Sequence, residues 1–229
     1  MIDSGGYSGY NPTEVRSLYK TILFDFDGTV FDTGEGIMKS VQYAAEAFGY
    51  HEPDWQALRE FVGPPLTDTF AKRYNVDEET AKAMTAKYRE RYRVNGLDEC
   101  SVYPGVPELV QKLKAHGANV AVATGKPTAF TVDILERHGL GGLFDAVLGS
   151  EFDGRRGQKW EVISELLDQF GHDGAVMIGD RDNDVRGAKR CDIPCIGVAW
   201  GYAEPGELER EGAIVVARDT SELEKLLIG

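Results

Sequence analysis

The chain of 229 residues is long enough for one large domain, or for one domain that carries a smaller insert. Its hydrophobic content of 42% and charged content of 28% are typical of a globular protein, and no apolar run approaches the length of a membrane span. The formal net charge of −13 argues against nucleic acid polymers and anionic membranes as partners, because the field of the whole protein has the wrong sign. The same field repels a phosphorylated substrate, so a phosphate site must carry its own positive charge.

The first ordered element is predicted close to the N-terminus. Residues 1–17 are rich in glycine, serine, tyrosine and asparagine without periodicity, which predicts a flexible leader. Residues 21–24 form a short apolar run that predicts a buried strand, and Asp25 and Asp27 follow it directly. Side chains alternate along a strand, so both carboxylates are expected on the same side of the sheet. Two neighbouring carboxylates repel each other, which implies a cation or a proton between them.

A helical insert is predicted to follow the first strand. Apolar side chains recur at helical spacing through residues 33–95, with Thr33 as the N-cap of the first helix and glycine or proline residues between the helices. The predicted helices cover residues 37–48, 55–62, 66–74 and 78–94. We therefore assign residues 33–100 to a helical cap domain.

From residue 103 onward, strands and helices alternate. The predicted strands cover residues 119–124, 146–150, 175–180, 194–200 and 213–217, and helices are predicted around residues 106–113, 127–135 and 160–170. This alternation predicts a parallel sheet with right-handed crossovers. The predicted fold class is α/β, a doubly wound parallel sheet with an inserted α-helical cap. Residues 18–32 and 101–229 then form the core domain.

Three predicted strands end in polar residues that suit a single site. The first ends in Asp25 and Asp27, the second in Thr124 and the fourth in Asp180. In a doubly wound sheet these carboxyl ends converge at the switch point, where ligands bind. Each group has a simpler interpretation, since aspartate is common in turns, threonine caps helices and acidic residues favour the first turn of a helix. Their occurrence at three strand ends favours a shared site.

Four segments resemble, in the same chain order, the signatures of the haloacid dehalogenase (HAD) superfamily. They are DFDGTV at residues 25–30, ATGKP at residues 123–127, RRGQKWEVI at residues 155–163 and GDRDND at residues 179–184. The resemblance implies a Rossmann-like core with a small helical cap. The cap segment FVGPPL at residues 61–66 is similar to the phosphoglycolate-phosphatase-like branch. In the third signature we assign Lys159, which opens a predicted helix, over its neighbours Arg155 and Arg156.

The resemblance implies a catalytic role for Asp25, Asp27, Thr124 and Lys159, and a phosphate-binding role for Thr124, Gly125 and Lys159. Asp25 would attack phosphorus and form an aspartyl-phosphate, while Asp27 would protonate the leaving oxygen and later accept a proton from water. Thr124, Gly125 and Lys159 would hold the transferring group and neutralise its charge.

The resemblance also implies Mg²⁺ as the cofactor, a hard cation that prefers oxygen ligands. Asp25, Asp180 and the backbone carbonyl of Asp27 would bind it, and Asp184 would orient its water ligands from the second coordination shell. The substrate contacts that set specificity are expected from the cap. The candidates are Lys39, Arg59 and the loop of Gly63, Pro64 and Pro65, together with Lys126 on the core side.

The function that these features predict is the hydrolysis of a small phosphomonoester such as 2-phosphoglycolate. The alternatives are a nucleoside 5'-monophosphate phosphatase, a sugar phosphomutase of the same fold, and a binding or regulatory module without turnover. The expected partner is a small phosphorylated metabolite. The three cysteines form no C-x-x-C pair, which is typical of free thiols in the cytoplasm. The sequence does not determine whether the protein is a monomer or a dimer.

Overall fold

The structure, a computed structural model, describes residues 17–229. Apart from Ser17, the predicted leader of residues 1–17 lies outside the described residues. Within the described part of the chain, no helix is both long enough and apolar enough to cross a membrane.

A six-stranded sheet forms the centre of the molecule. The strands of residues 17–229 are β1 (Thr21–Phe24), β2 (Phe31–Asp32), β3 (Ser101–Val102), β4 (Asn119–Pro127), β5 (Ala146–Ser150), β6 (Ala175–Gly179), β7 (Cys195–Val198) and β8 (Val215–Ala217). The large sheet has the order β5-β4-β1-β6-β7-β8, and each neighbouring pair in it is parallel. Strands β2 and β3 form a separate antiparallel pair. The predicted α/β parallel sheet is therefore confirmed.

The chain winds outward from β1 in both directions. It adds β4 and then β5 on one side of β1, and afterwards β6, β7 and β8 on the other. The strand order thus reverses beside β1, which places the ligand-binding crevice of such a sheet at the carboxyl ends of β1, β4 and β6.

Strand β1 is apolar throughout because both faces of the sheet are covered. Ile22 and Phe24 pack into the hydrophobic cluster on one face, and Leu23 packs into a second cluster on the opposite face. A central parallel strand with helices on both faces needs such a continuous apolar run. The core therefore consists of two layers, one on each side of the sheet.

Helices flank the sheet and fill the insert. They are α1 (Gly34–Ala47), α2 (Leu66–Tyr74), α3 (Glu78–Arg91), α4 (Val106–Ala115), α5 (Thr128–Arg137), α6 (Lys159–Phe170), α7 (Asp182–Arg190), α8 (Glu207–Glu211) and α9 (Thr220–Ile228). A 3₁₀-helix, Trp55–Phe61, and a π-helical turn, Tyr92–Gly96, complete the segment between β2 and β3. This segment is helical as predicted, and its role as a cap domain that closes over the site stays a prediction.

Several element bounds differ from the predicted ones. The helix predicted over residues 78–94 ends at Arg91 and continues into the π turn, against which α1 packs so closely that a Cβ on Gly36 would lie 2.4 Å from the Gly96 carbonyl oxygen. Strand β4 extends to Pro127 through an irregular stretch after Ala123. The strands β2 and β3 and the helices α7, α8 and α9 were not among the predicted elements. Two-residue strands are too short to show a period.

Candidate active site

The first two acids leave β1 at its carboxyl end and are both buried. The backbone N–H of Asp25 donates to the carbonyl of Ile178 at 2.8 Å, which continues the ladder between β1 and β6. Phe26 lies between the two acids and stacks on Phe31 in the core. This alternation holds Asp25 and Asp27 in the crevice, with relative exposures of only 1% and 5%.

Three buried carboxylates form a compact cluster. One oxygen from each of Asp25, Asp180 and Asp184 lies within 4.8 Å of the others. Asp180 follows β6, where its Oδ2 accepts a hydrogen bond from the N–H of Tyr202 at 2.7 Å and its Oδ1 accepts one from the hydroxyl of Thr29 at 3.1 Å. Asp184 lies in the first turn of α7. The cluster thus combines the ends of β1 and β6 with the start of a helix.

Lys159 provides the positive charge within this cluster. It is the first residue of α6 and is buried, and its Nζ lies 2.7 Å from Asp25 Oδ1 and 2.8 Å from Asp184 Oδ1. Nζ also donates to the carbonyl of Ala123 at 3.2 Å. The two carboxylates raise the pKa of Lys159, although burial opposes them. Lys159 therefore remains an ammonium ion beside the predicted nucleophile.

One ammonium ion does not balance three carboxylates. Burial, followed by the charge of Asp184, raises the pKa of Asp25 to about 7, although Lys159 acts against this shift. Burial and the two neighbouring carboxylates raise the pKa of Asp180 well above its ordinary value. Asp25 Oδ1 and Asp184 Oδ1 both contact the Lys159 ammonium, at 2.7 and 2.8 Å. A single positive charge shared by these oxygens leaves the cluster with net negative charge, which a further cation would offset.

Glycines make room for these carboxylates. A Cβ on Gly28 would lie 2.2 Å from Asp180 Oδ2, and one on Gly201 would lie 2.3 Å from the same atom. A Cβ on Gly179 would lie 2.3 Å from the carboxyl carbon of Asp184. The result is a close-packed, oxygen-only donor set with excess negative charge, which fits a hard divalent cation such as Mg²⁺.

The side chain of Asp27 stands apart from the three-carboxylate cluster. Its Oδ1 lies 2.9 Å from Nζ of Lys126 and accepts a hydrogen bond from the hydroxyl of Thr33 at 2.6 Å. Thr33 was predicted to cap α1, but its hydroxyl makes no cap hydrogen bond, because it binds this carboxylate instead. The Lys126 ammonium lies 4.8 Å from the centre of the Tyr92 ring, which belongs to the insert. The roles of Asp27 in acid–base chemistry and, through its carbonyl, in metal binding stay predictions.

The end of β4 carries Thr124 and Gly125, which are predicted to contact phosphate. Thr124 is buried, with a relative exposure of 1%, and its hydroxyl oxygen accepts a hydrogen bond from the N–H of Lys126 at 3.2 Å. Gly125 is exposed and faces the insert, so that a Cβ there would lie 3.4 Å from the carbonyl oxygen of Gly63. The carbonyl of Gly125 accepts a hydrogen bond from the hydroxyl of Ser150 at 2.7 Å, which fixes this peptide.

A cavity of about 690 Å³ lies between the insert and these strand ends. Asp27, Lys126 and Lys159 line its core side. The loop of Gly63, Pro64 and Pro65, together with Tyr88, Arg89 and Tyr92, lines its insert side. Of the predicted specificity residues, this loop and Lys126 thus line the cavity.

Two other candidates for specificity lie elsewhere among the described residues. Lys39 forms ion pairs with Glu35 and Glu99 on the surface of the insert. The guanidinium of Arg59 lies 4.7 Å from the centre of the Tyr202 ring. Neither Lys39 nor Arg59 is among the described residues that line the cavity.

The family described as haloacid dehalogenase-like hydrolase matches residues 22–198. The chain belongs to this family. The match confirms the resemblance to the HAD family, and its range includes every predicted site residue from Asp25 to Asp184.

Similar proteins indicate which type of hydrolase this protein is. A 5'-nucleotidase of Pseudomonas aeruginosa is 42% identical over 211 residues, covering 91% of this chain and 96% of the relative. A phosphoglycolate phosphatase of Vibrio parahaemolyticus is 27% identical, covering 89% of this chain and 94% of the relative. The crystal structure of a predicted phosphatase from Clostridium acetobutylicum has a TM-score of 0.88 at 42% identity, over 92% of this chain and 98% of that one. The HAD hydrolase is therefore a phosphatase.

Two residues of the HAD core that sequence reasoning missed bind the insert above the cavity. Arg181 donates from Nη1 to the carbonyl of Val62 at 2.9 Å, and Asn183 donates from Nδ2 to the carbonyl of Gly63 at 3.3 Å. Both residues lie within the fourth signature, GDRDND, but their acceptors are backbone carbonyls 119 and 120 residues away. Their polar side chains beside Asp180 were the only available signal.

The metal-free HAD hydrolase is expected to gain thermal stability as the pH falls from about 8 to about 6. The raised pKa values of Asp25, about 7, and of Asp180 mean that the folded protein holds protons which unfolded aspartates, titrating near pH 3.9, have released. The free energy of unfolding therefore falls as the pH rises through this window. Thermal unfolding after EDTA treatment should give a Tm at least about 3 °C higher at pH 6 than at pH 8. The difference should shrink in Asp25→Asn, and a Tm that rises with pH would contradict the assignment.

Proposed function

We propose that this phosphatase hydrolyses a phosphomonoester with Mg²⁺ through a covalent aspartyl-phosphate on Asp25. The observation that carries the proposal is the buried ammonium of Lys159, 2.7 Å from Asp25 Oδ1 and 2.8 Å from Asp184 Oδ1, at the edge of the cavity. A negatively charged nucleophile approaches a phosphate ester only when nearby positive charge offsets the repulsion. In a chain with a net charge of −13, this ammonium supplies that charge locally.

In the first step, a carboxylate oxygen of Asp25 forms a bond to phosphorus while the bond between phosphorus and the leaving oxygen breaks. Asp27 donates a proton to the leaving oxygen, which departs as an alcohol. The hydroxyl of Thr124, the N–H of Gly125 and the ammonium of Lys159 hold the oxygens of the transferring phosphoryl group.

In the second step, Asp27 accepts a proton from a water molecule that attacks phosphorus. The bond from phosphorus to Asp25 breaks, which releases inorganic phosphate and restores the carboxylate. The contacts of Asp27 with Lys126 and Thr33 hold its carboxylate at the cavity wall in preparation for this exchange. The same carboxyl group thus serves as acid and then as base.

Asp25, Asp180 and the carbonyl of Asp27 would hold Mg²⁺ at the carboxylate cluster. When bound, the ion supplies positive charge that offsets the charge of the phosphate and of the acids around it. Asp184, predicted to act from the second shell, lies in the same 4.8 Å cluster and also holds Lys159 in place. Its Oδ2 accepts the N–H of Arg181 at 3.1 Å, which fixes the orientation of the carboxylate.

A nucleoside 5'-monophosphate is the substrate that the cavity favours. The cavity volume of about 690 Å³ lies in the range of sites for drug-sized ligands, and Phe61, Tyr88 and Phe130 give it apolar walls. A two-carbon phosphate ester would leave most of this volume unfilled. The 42% identical relative from Pseudomonas aeruginosa, a 5'-nucleotidase, supports the same substrate class.

2-Phosphoglycolate, the substrate suggested by the sequence, remains the second candidate. Lys126 is a buried cation in contact with Asp27, the residue that would protonate the leaving oxygen. A carboxylate one carbon away from that oxygen would lie within reach of the Lys126 ammonium. The phosphoglycolate phosphatase relative from Vibrio parahaemolyticus supports this alternative.

The phosphatase is expected to release phosphate from p-nitrophenyl phosphate in the presence of Mg²⁺ and to lose at least about 90% of this activity with excess EDTA. Lys159 alone then offsets the charge of three carboxylates and the phosphate. The measurement is nitrophenolate release with Mg²⁺, with EDTA, and with EDTA followed by excess Mg²⁺. Turnover that EDTA does not change would contradict the metal site. A complete absence of turnover would favour the alternative of a binding module.

A panel of metabolite phosphates then separates the substrates. The nucleotide proposal expects kcat/KM for at least one nucleoside 5'-monophosphate to exceed that for 2-phosphoglycolate by at least about tenfold, since each 1.4 kcal/mol of added contact gives that factor. The reverse order would support 2-phosphoglycolate. Transfer of phosphate to a sugar instead of water, seen in the products, would identify a phosphomutase. The proposed cellular setting is the cytoplasm, which is consistent with the free thiols of Cys100, Cys191 and Cys195.

A further inference from the structure

Two arginines of the insert lie beside the cavity without a carboxylate partner. Arg89 is in the last turn of α3, and Arg93 follows one turn later in the π turn. Among residues 17–229, neither forms an ion pair, whereas Arg91 between them binds both oxygens of Glu99 at 2.8 and 2.9 Å. The chain has 38 acidic and 25 basic residues, so a shortage of acids does not explain the missing partners.

The two guanidinium groups contact the same aromatic ring, which belongs to the core domain. The guanidinium carbons of Arg89 and Arg93 lie 5.2 and 5.1 Å from the centre of the Phe152 ring, which follows β5. Arg93 also lies 5.9 Å from the ring of Phe130, and the two phenylalanine rings meet edge to face at 5.1 Å. Arg89 and Phe130 line the cavity. Arg89 therefore lies on the same cavity as Asp27. Arg93 is exposed and shares the Phe152 ring with Arg89 where the insert meets the core domain.

Like charges on one surface need compensation. Burial, and then the charge of Arg93, lower the pKa of Arg89, so the two groups destabilise each other when no anion is present. The negative end of α3 attracts basic residues, but this effect does not require two arginines to converge on one ring. Guanidinium groups offer forked N–H donors that fit the oxygens of a phosphate or carboxylate. An anion bound by both would remove the repulsion.

We propose that Arg89 and Arg93 form a second anion subsite, which binds a phosphate or carboxylate group of the substrate that is remote from the reacting phosphoryl group. The proposal rests on the proposed phosphatase function and narrows its substrate class. The favoured substrates are phosphomonoesters with a second negative group across the cavity, such as nucleoside bisphosphates. The first anion binds at Lys159 and the second at the arginine pair.

The test compares substrates with and without a second anionic group. The probes without a remote anion are p-nitrophenyl phosphate, adenosine 5'-monophosphate and 2-phosphoglycolate, whose carboxylate lies one carbon from the leaving oxygen. The probes with a remote anion are fructose 1,6-bisphosphate and adenosine 3',5'-bisphosphate, which differ in the separation of the two anions. For at least one of these two bisphosphates, the wild-type KM should be at least about tenfold lower than for adenosine 5'-monophosphate. The variant Arg89→Gln/Arg93→Gln should abolish that preference. Its effect on kcat/KM for p-nitrophenyl phosphate, which lacks a second anionic group, should be at least about fivefold smaller than its effect on the preferred bisphosphate.

The control Arg210→Gln/Arg218→Gln removes the same charge from two exposed positions of the core and should keep the preference. The thermal midpoint of Arg89→Gln/Arg93→Gln should stay within about 2 °C of wild type, because relief of the like-charge repulsion offsets the loss of the contacts with the Phe152 ring. The proposal is overturned if wild type prefers neither bisphosphate. It is also overturned if the variant loses stability and loses activity equally on all substrates, because the arginine pair would then have only a structural role. In either case, normal turnover of p-nitrophenyl phosphate by the wild-type protein would leave the proposed phosphatase function intact.

Discussion

Asp25→Asn is expected to reduce turnover of p-nitrophenyl phosphate by at least about 10⁴-fold, the scale of losing a catalytic nucleophile. Asparagine has the same shape as aspartate, but its amide does not form the covalent phosphate. The substitution also removes one of three clustered negative charges, and burial already disfavours ionisation of Asp25. The variant should therefore fold at least as stably as wild type without metal at about pH 8. Initial rates with excess Mg²⁺ and thermal unfolding of the same samples measure both effects.

Asp168→Asn is the matched control, because it makes the same chemical change at an exposed position of α6. It should retain activity within about twofold of wild type, as surface substitutions usually do little. More than about a tenth of wild-type activity in Asp25→Asn would place the nucleophile at another residue. Loss of folding in Asp25→Asn would contradict the interpretation that the carboxylate cluster carries an excess of negative charge.

The strand ends could be predicted from the sequence because local patterns determine them. A buried apolar run followed directly by Asp25 and Asp27 leaves few alternatives for where the acids lie, and Asp180 ends β6 in the same way. Parallel pairing then brings the strand ends together without further information. The convergence of Asp25 and Asp180 in one cluster follows this logic.

The positions of Asp184 and Lys126 depended on tertiary geometry that the sequence does not encode locally. An acid in the first turn of α7 could have faced solvent, and only the direction in which the helix leaves β6 brings Asp184 to the cluster. Lys126 is buried and lies in the stretch of β4 that is irregular after Ala123, and no sequence pattern marked that irregularity. The hydrogen bonds from Arg181 and Asn183 to the insert end on backbone carbonyls, which carry no side-chain signal.

Of the substitutions proposed for this protein, Lys159→Met is expected to lower the free energy of unfolding most. It should also make that free energy depend more strongly on Mg²⁺. Methionine fills similar space but leaves Asp25 and Asp184 buried without their shared ammonium. Removing one partner of a buried ion pair typically costs about 3–5 kcal/mol. Burial raises the pKa of Asp25, and Lys159 partly opposes that shift. The substitution should therefore lower the free energy of unfolding more at about pH 8 than at about pH 6, where the carboxyl group takes up a proton. Turnover should fall by about 10²–10³-fold, the scale of losing one group that stabilises transition-state charge.

Urea unfolding with EDTA and with excess Mg²⁺ measures the coupling, and Lys126→Met provides its control. Lys126 is equally buried and also paired with a carboxylate, but its partner Asp27 lies outside the three-carboxylate cluster. Both variants should lose stability without metal. Mg²⁺ should restore stability more in Lys159→Met than in wild type, since a cation at the cluster then replaces the missing ammonium, and it should restore none of what Lys126→Met loses. Equal stabilisation of the two variants by Mg²⁺ would mean that the ion binds away from Asp25, Asp180 and Asp184. The ion would then not balance the charge of the cluster on which the proposed reaction depends.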